Sequence, residues 1–85
     1  MPNIFAYVFI NLEFDQEDKD IISPLLQIEQ VVEAHRILGV YDIIVLISAD
    51  TPKELKDITI SVIRKINHVK STITMISLDH HITNN

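Results

Sequence analysis

Apolar positions along the chain fall into four short runs separated by two helical stripes. The first run, residues 4–12, is apolar on both alternating sides. Ile4, Ala6, Val8, Ile10 and Leu12 form one side, and Phe5, Tyr7 and Phe9 the other, a pattern that predicts a strand buried on both faces. An acidic stretch follows over 13–20, where Asp15 is placed to cap a helix with Glu17 and Asp18 in its first turn. Ile21, Ile22, Leu25, Leu26 and Ile28 then recur at helical spacing. Pro24 lies inside that stripe, and it either kinks the helix or delays its start to Ser23-Pro24.

Residues 31–38 read as a second strand in which Glu33, His35 and Arg36 interrupt the aliphatics, the mark of a sheet edge. Residues 42–49 are nearly all aliphatic and read as a central strand. The clearest local signal is Thr51-Pro52-Lys53-Glu54: a capping threonine, proline at the first helical position and a glutamate that completes a capping box. Leu55, Ile58, Val62, Ile63 and Ile66 continue at helical spacing. Asn67-His68 ends that helix, and residues 69–78 form a fourth strand.

The resulting order, β-α-β-β-α-β, predicts an α+β, ferredoxin-like sandwich. Four antiparallel strands carry both helices on one face, and the whole is a single domain over residues 1–85. The helices cover one face while the central strands are apolar on both. The open face, with Phe5, Tyr7 and Phe9 among its residues, is therefore expected to pack on the sheet of another chain, as in a dimeric α+β barrel. Composition agrees: 47% hydrophobic residues in an 85-residue chain exceeds what so small a monomer buries.

Charge and residue counts narrow the function. The formal net charge is −5, from seven Lys and Arg against twelve Asp and Glu. Nucleic-acid affinity comes largely from cations on phosphates, so direct nucleic-acid binding is not expected. There is no cysteine, which excludes disulfides, thiolate catalysis and zinc-finger or iron–sulfur ligation. Neither a signal peptide nor a membrane span is legible, so the expectation is a soluble cytoplasmic protein.

Candidate chemistry gathers at Gly39-Val40-Tyr41-Asp42. Gly39 is the only glycine, where average usage would give roughly six. Two readings follow. In one, a hairpin turn needs positive φ at Gly39, and Asp42 bonds its own backbone. In the other, the turn's backbone wraps a small ligand, Asp42 meeting an ammonium group and Tyr41 stacking on it. Thr72 and Thr74 share one face of the fourth strand, with Ser71 opposite, and offer hydroxyls to a polar ligand or to neighbouring strands. Among the four histidines, His80 and His81 are a candidate metal pair, although adjacent strand residues point apart. The acids Asp15, Glu17, Asp18 and Asp20 lack the glycine and terminal glutamate of a calcium loop. No nucleophile–base motif or phosphate-cradling loop is present, so no catalysis and no cofactor are expected.

The string Val31-Val32-Glu33-Ala34-His35-Arg36-Ile37-Leu38-Gly39-Val40-Tyr41-Asp42, then the capped helix, then Val69-Lys70-Ser71-Thr72-Ile73-Thr74, resembles the effector-binding (RAM) domain of the Lrp/AsnC regulators. The resemblance runs from about Phe5 to Leu78. It implies a βαββαβ sandwich that dimerises sheet to sheet and assembles into larger rings, with amino acid effectors held between dimers. It further implies that Gly39, Val40, Tyr41 and Asp42 frame the pocket and that Thr72 and Thr74 add hydroxyls. The pattern departs from the family at Val40, where an acidic residue is frequent, and at Pro24. The family's DNA-binding members carry a helix-turn-helix domain that is not legible in these 85 residues. The expectation is then a stand-alone sensing module of bacterial or archaeal type, working through a full-length regulator. Two alternatives remain open: a metal-binding protein using His80 and His81, and a small α+β barrel enzyme with His35 and a carboxylate in a polar cavity.

Overall fold

A computed structural model of the chain describes residues 3–13 and 20–79. The proposed Asp15 cap with Glu17 and Asp18, and the His80–His81 pair, lie outside those residues. Four strands, β1 (Ile4–Leu12), β2 (Val31–Arg36), β3 (Ile43–Ala49) and β4 (Val69–Ile76), form one sheet in the order β2-β3-β1-β4. All three pairings are antiparallel. Helices α1 (Ile22–Leu26) and α2 (Pro52–Asp57) supply the second layer. This is the expected ferredoxin-like α+β arrangement, with β1 and β3 central and β2 an edge.

Alternation along the strands sorts side chains onto two sides. Ala6, Val8 and Ile10 of β1 and Ile43, Val45, Ile47 and Ala49 of β3 point to the helices and are buried. Ile21, Leu25, Leu55, Ile58 and Ile63 close the core from above. Burying each such aliphatic side chain contributes about 1.5–3 kcal/mol. The opposite, open side carries Phe5, Tyr7 and Phe9 of β1, Ile44 and Leu46 of β3, and Ile73 and Met75 of β4.

Both strand ends were read too long. β2 stops at Arg36 rather than 38, and β4 at Ile76 rather than 78, because one residue further on the chain leaves the sheet and Leu38 and Leu78 stand in solvent. The first helix is short and starts at Ile22, one residue before the expected Ser23-Pro24, with Pro24 in its first turn. Asp20 Oδ1 accepts the Ser23 N–H at 3.0 Å and braces that turn. Leu26, assigned to the buried stripe, is 54% exposed, since a helix this short presents only one turn to the sheet.

The capping box is present. Glu54 N–H donates to Thr51 Oγ1 at 3.1 Å. The Glu54 carboxylate returns to Asp50 N–H, also at 3.1 Å, one residue before the cap. The helix then departs from the expected stripe. After Asp57 it widens into a π segment, Ile58–Val62, and tightens into a 3₁₀ turn, Ile63–Lys65. Five of the six residues 58–63 are β-branched and the sixth is serine, and branched side chains crowd a regular helix. The wider turn shifts the buried stripe, so Thr59 is covered while Val62 turns out to solvent. Thr59 answers its burial by donating its hydroxyl to Lys56 O at 3.0 Å.

Candidate functional site

The β2–β3 connection closes with Ile37 N–H donating to Asp42 O at 2.9 Å. Between them Leu38 and Val40 stand almost wholly in solvent, at 105% and 87% exposure. Gly39 sits at the tip, and its φ is not positive. The expectation of a left-handed glycine is therefore corrected. The left-handed residue among those described is His68, at φ 76°, where the helical segment turns sharply into β4. Nor does Gly39 relieve crowding, because a Cβ there would meet nothing within 4 Å of its own chain. The tip is wide open.

Its base is rigidly held. Asp42 N–H donates to Ile10 O at 2.9 Å, and Asp42 Oδ2 accepts the Leu12 N–H at 2.8 Å. The expectation that Asp42 bonds its own backbone is corrected too: its carboxylate reaches across to β1. The reason is local. β1 runs on past Ile10, the last residue to pair with β3, so the Leu12 amide on that side has no ladder partner and Asp42 satisfies it. Tyr41 packs against Phe9, with ring centroids 5.5 Å apart and planes tilted by 51°. Tyr41 therefore belongs to the open side of the sheet. Beside it, Glu13 N–H donates to His68 O at 2.8 Å, and His68 Nδ1 lies 3.5 Å from Glu13 Oε1.

The threonines lie elsewhere. Thr72 is opposite Ile10 and Thr74 opposite Val8, both of which face the helices, so the two hydroxyls project on the helix side near the uncovered margin of β4. Ser71 projects on the open side, where its hydroxyl accepts from Asn11 Nδ2 at 3.4 Å. Within one chain the structure groups Gly39, Val40, Tyr41 and Asp42 in one turn and Thr72 with Thr74 on one strand face. It puts the sheet between Tyr41 and those threonines.

The remaining polar groups are separate from that turn. His35 Nε2 lies 2.6 Å from Glu33 Oε1, but the pair stands on the open side of β2, more than half exposed, and not in a cavity. A shallow polar cleft of about 300 Å³ lies at the opposite end of the sheet, with Glu29, Gln30, Asp50 and Glu54 in its wall. Its residues are scattered along the chain, so no sequence spacing announces it. The Asp20 carboxyl has a displaced pKa. It is held below the usual carboxylate range by the Ser23 hydroxyl, then by the Ser23 amide, with Arg36 adding a favourable charge. Among the described residues no three His, Asp or Glu gather as a metal site, and no helix is long and apolar enough to cross a membrane.

Comparison with known proteins places this geometry. Residues 6–85 match the family described as the Lrp/AsnC ligand binding domain. An uncharacterized HTH-type transcriptional regulator of Pyrococcus abyssi is 28% identical over 81 residues, which cover 91% of this chain and 54% of that protein. The chain thus spans about half the length of the curated relatives it matches. The crystal structure of FFRP-DM1 superposes with a TM-score of 0.80 at 31% identity, covering 88% of this chain and 99% of that one. A feast or famine regulatory protein of Mycobacterium tuberculosis, complexed with L-methionine, shares the fold. Its TM-score is 0.80 at 22% identity, over 95% of this chain and 54% of that one.

Proposed function

The chain belongs to the Lrp/AsnC ligand binding domain family, and from that premise we propose that it senses an amino acid or a similar small metabolite. The ligand is held between copies of the chain, and the bound state is passed to a transcription regulator. The observation that carries this reading is the build of the β2–β3 turn. Tyr41 and Asp42 pin its base to β1, while Gly39 presents bare backbone that neither φ nor contacts in its own chain require. A rigid base below an exposed backbone tip is what a small ligand approached from outside the chain would use.

The position of the threonines gives the pocket its shared character. Gly39, Val40, Tyr41 and Asp42 come from one copy, and Thr72 and Thr74 from another, because in a single chain the sheet stands between Tyr41 and those threonines. Asp42 Oδ2 is engaged by Leu12, so Oδ1 is the oxygen that meets an ammonium group. Val40, apolar and projecting, favours a ligand with an aliphatic part. The methionine complex of the mycobacterial relative supports an amino acid of that kind. Copies associate through the open side of the sheet, where Tyr7, Ile73 and Met75 are each more than 40% exposed, and dimers build larger rings.

The role is regulatory and not catalytic. His35 and Glu33 lie on an exposed sheet face, and the core between sheet and helices is filled by aliphatic side chains. With a net charge of −5, these residues reach DNA in the cytoplasm through a helix-turn-helix partner or domain rather than directly.

Calorimetry against the twenty amino acids, with native mass spectrometry of the same samples, tests the proposal. Heat is expected for at least one aliphatic amino acid. Gly39→Val should keep its melting temperature and weaken that binding by about tenfold or more, on the order of 1.4 kcal/mol. No heat for any of the twenty, or unchanged affinity in Gly39→Val, overturns it.

A further inference from the structure

One hydrogen bond fixes the direction of the β4 amides beyond its register shift: Ser77 N–H donates to Phe5 O at 2.8 Å. Successive residues of a strand aim their amide groups at alternate edges. Ser71, Ile73 and Met75 therefore turn theirs toward β1, and Thr72, Thr74 and Ile76 turn theirs outward. Among the described residues no strand lies on that outer edge. An open edge is a template for another strand, and proteins blunt it with charge, proline, a bulge or short length. β4 carries a lysine and a register shift only at its start, at Lys70, and uses none of these devices from Ser71 to Ile76.

We propose that β4 pairs edge to edge, antiparallel, with β4 of a second copy about a two-fold axis through Thr74. A two-fold axis normal to the sheet keeps each residue on its own face, so only residues of like parity can stand opposite one another. Centring the axis on Thr74 sets Thr74 opposite itself and Thr72 opposite the partner's Ile76. Every outward amide from Thr72 to Ile76 is then used, each facing pair exchanging two bonds. Centring on Ile76 runs off the end of the strand, while centring on Thr72 or Ile73 draws in Lys70, at the register shift, opposite Thr74 or Ile76. With the axis at Thr74, Ile73 faces the partner's Met75 on the open side. Those two residues are 42% and 56% exposed in one chain, and facing each other they carry the apolar surface of the sheet unbroken from one copy to the next. The Thr72 and Thr74 hydroxyls stay free on the helix side, now as a row doubled by symmetry. This contact is independent of ligand binding and of packing across the open face.

Because the chain has no cysteine, single cysteines report position against a clean background. Facing α-carbons of a hydrogen-bonded antiparallel pair are about 5.5 Å apart, within reach of a disulfide. Thr74→Cys should give a covalent dimer under mild oxidation. Thr72→Cys should not, while the double variant Thr72→Cys with Ile76→Cys should restore it. Thr74→Pro removes an outward amide and no bond to β1, so it should shift the melting temperature by less than about 5 °C. It should also lower the mass of the assembly about twofold by native mass spectrometry. Tyr7→Asp, which attacks the open face, should leave the Thr74 cross-link in place. A monomeric wild type, no covalent dimer from Thr74→Cys, or equal cross-linking at residue 72 overturns the proposal. So does an unchanged mass for Thr74→Pro, or loss of the Thr74 cross-link in Tyr7→Asp.

Discussion

The two edge strands of the sheet, β2 and β4, meet solvent in opposite ways. β2 is short, carries Glu33, His35 and Arg36 within its six residues, and shifts register between Val31 and Glu33. β4 is longer, alternates hydroxyl and aliphatic residues, and pairs with β1 without interruption from Ser71 to Ile76. Charge on an edge must stay hydrated, so a second strand laid along β2 would strip water from Glu33 and His35. Beyond Lys70, nothing on β4 imposes that penalty. The difference teaches that one margin of this sheet is guarded against association while the other is left open to it.

Four variants break or sharpen that contrast. Met75→Pro is expected to have the largest effect, because the Met75 amide points inward to β1, unlike that of Thr74. It should cost about 3 kcal/mol and lower the melting temperature by roughly 12 °C or more. Equal melting points for the residue 74 and 75 prolines would show the assignment of inward and outward amides to be wrong. Asp42→Ala comes next. It orphans the Leu12 amide and loosens the hairpin that carries β2, for about 1–3 kcal/mol in urea unfolding. A cost well below 1 kcal/mol would mean that water replaces the carboxylate at no loss.

Replacing Glu33 and His35 together by valine makes β2 resemble β4. Stability should change by no more than about 0.5 kcal/mol, while the sedimentation coefficient should rise with concentration more steeply than for the wild type. Unchanged sedimentation would mean that charge is not what guards this edge. The smallest effect concerns Asp20, whose carboxyl is held low by Ser23 and, more weakly, by Arg36 of β2. A depressed folded-state pKa means that ionised Asp20 stabilises the fold. That contribution is fully present above the unfolded carboxylate pKa and is lost as pH falls through the folded-state value. Asp20→Asn should flatten the acid limb of a stability–pH curve below about pH 4, and an identical acid limb would refute the assignment.

Much of this was legible beforehand because it depends on neighbours in the chain. Period-two and helical spacing gave the element order and the fold, and Thr51-Pro52-Lys53-Glu54 gave the start of α2 to the residue. Other features were not legible. Val62 fits the helical stripe on spacing, yet the π segment turns it outward, since crowding among branched side chains is settled only against the sheet. Gly39 drew attention by its rarity, but the reason supplied for it, positive φ, belongs to His68. Asp42 was placed correctly in the turn and wrongly in its bonding, because its partner is thirty residues away, where β1 runs on past the end of β3.

The sequence by itself determined which residues alternate, which caps start a helix, and hence that two helices cover one face of a four-stranded sheet. Those choices rest on local backbone preferences and on the period of apolar side chains, which neighbouring residues carry between them. Only the tertiary structure decided that Tyr41 and the threonines stand on opposite sides of that sheet, and that the amides of Thr72, Thr74 and Ile76 point away from β1. Both depend on the register between strands distant along the chain, and a shift of one residue would have exchanged the two faces and the two edges.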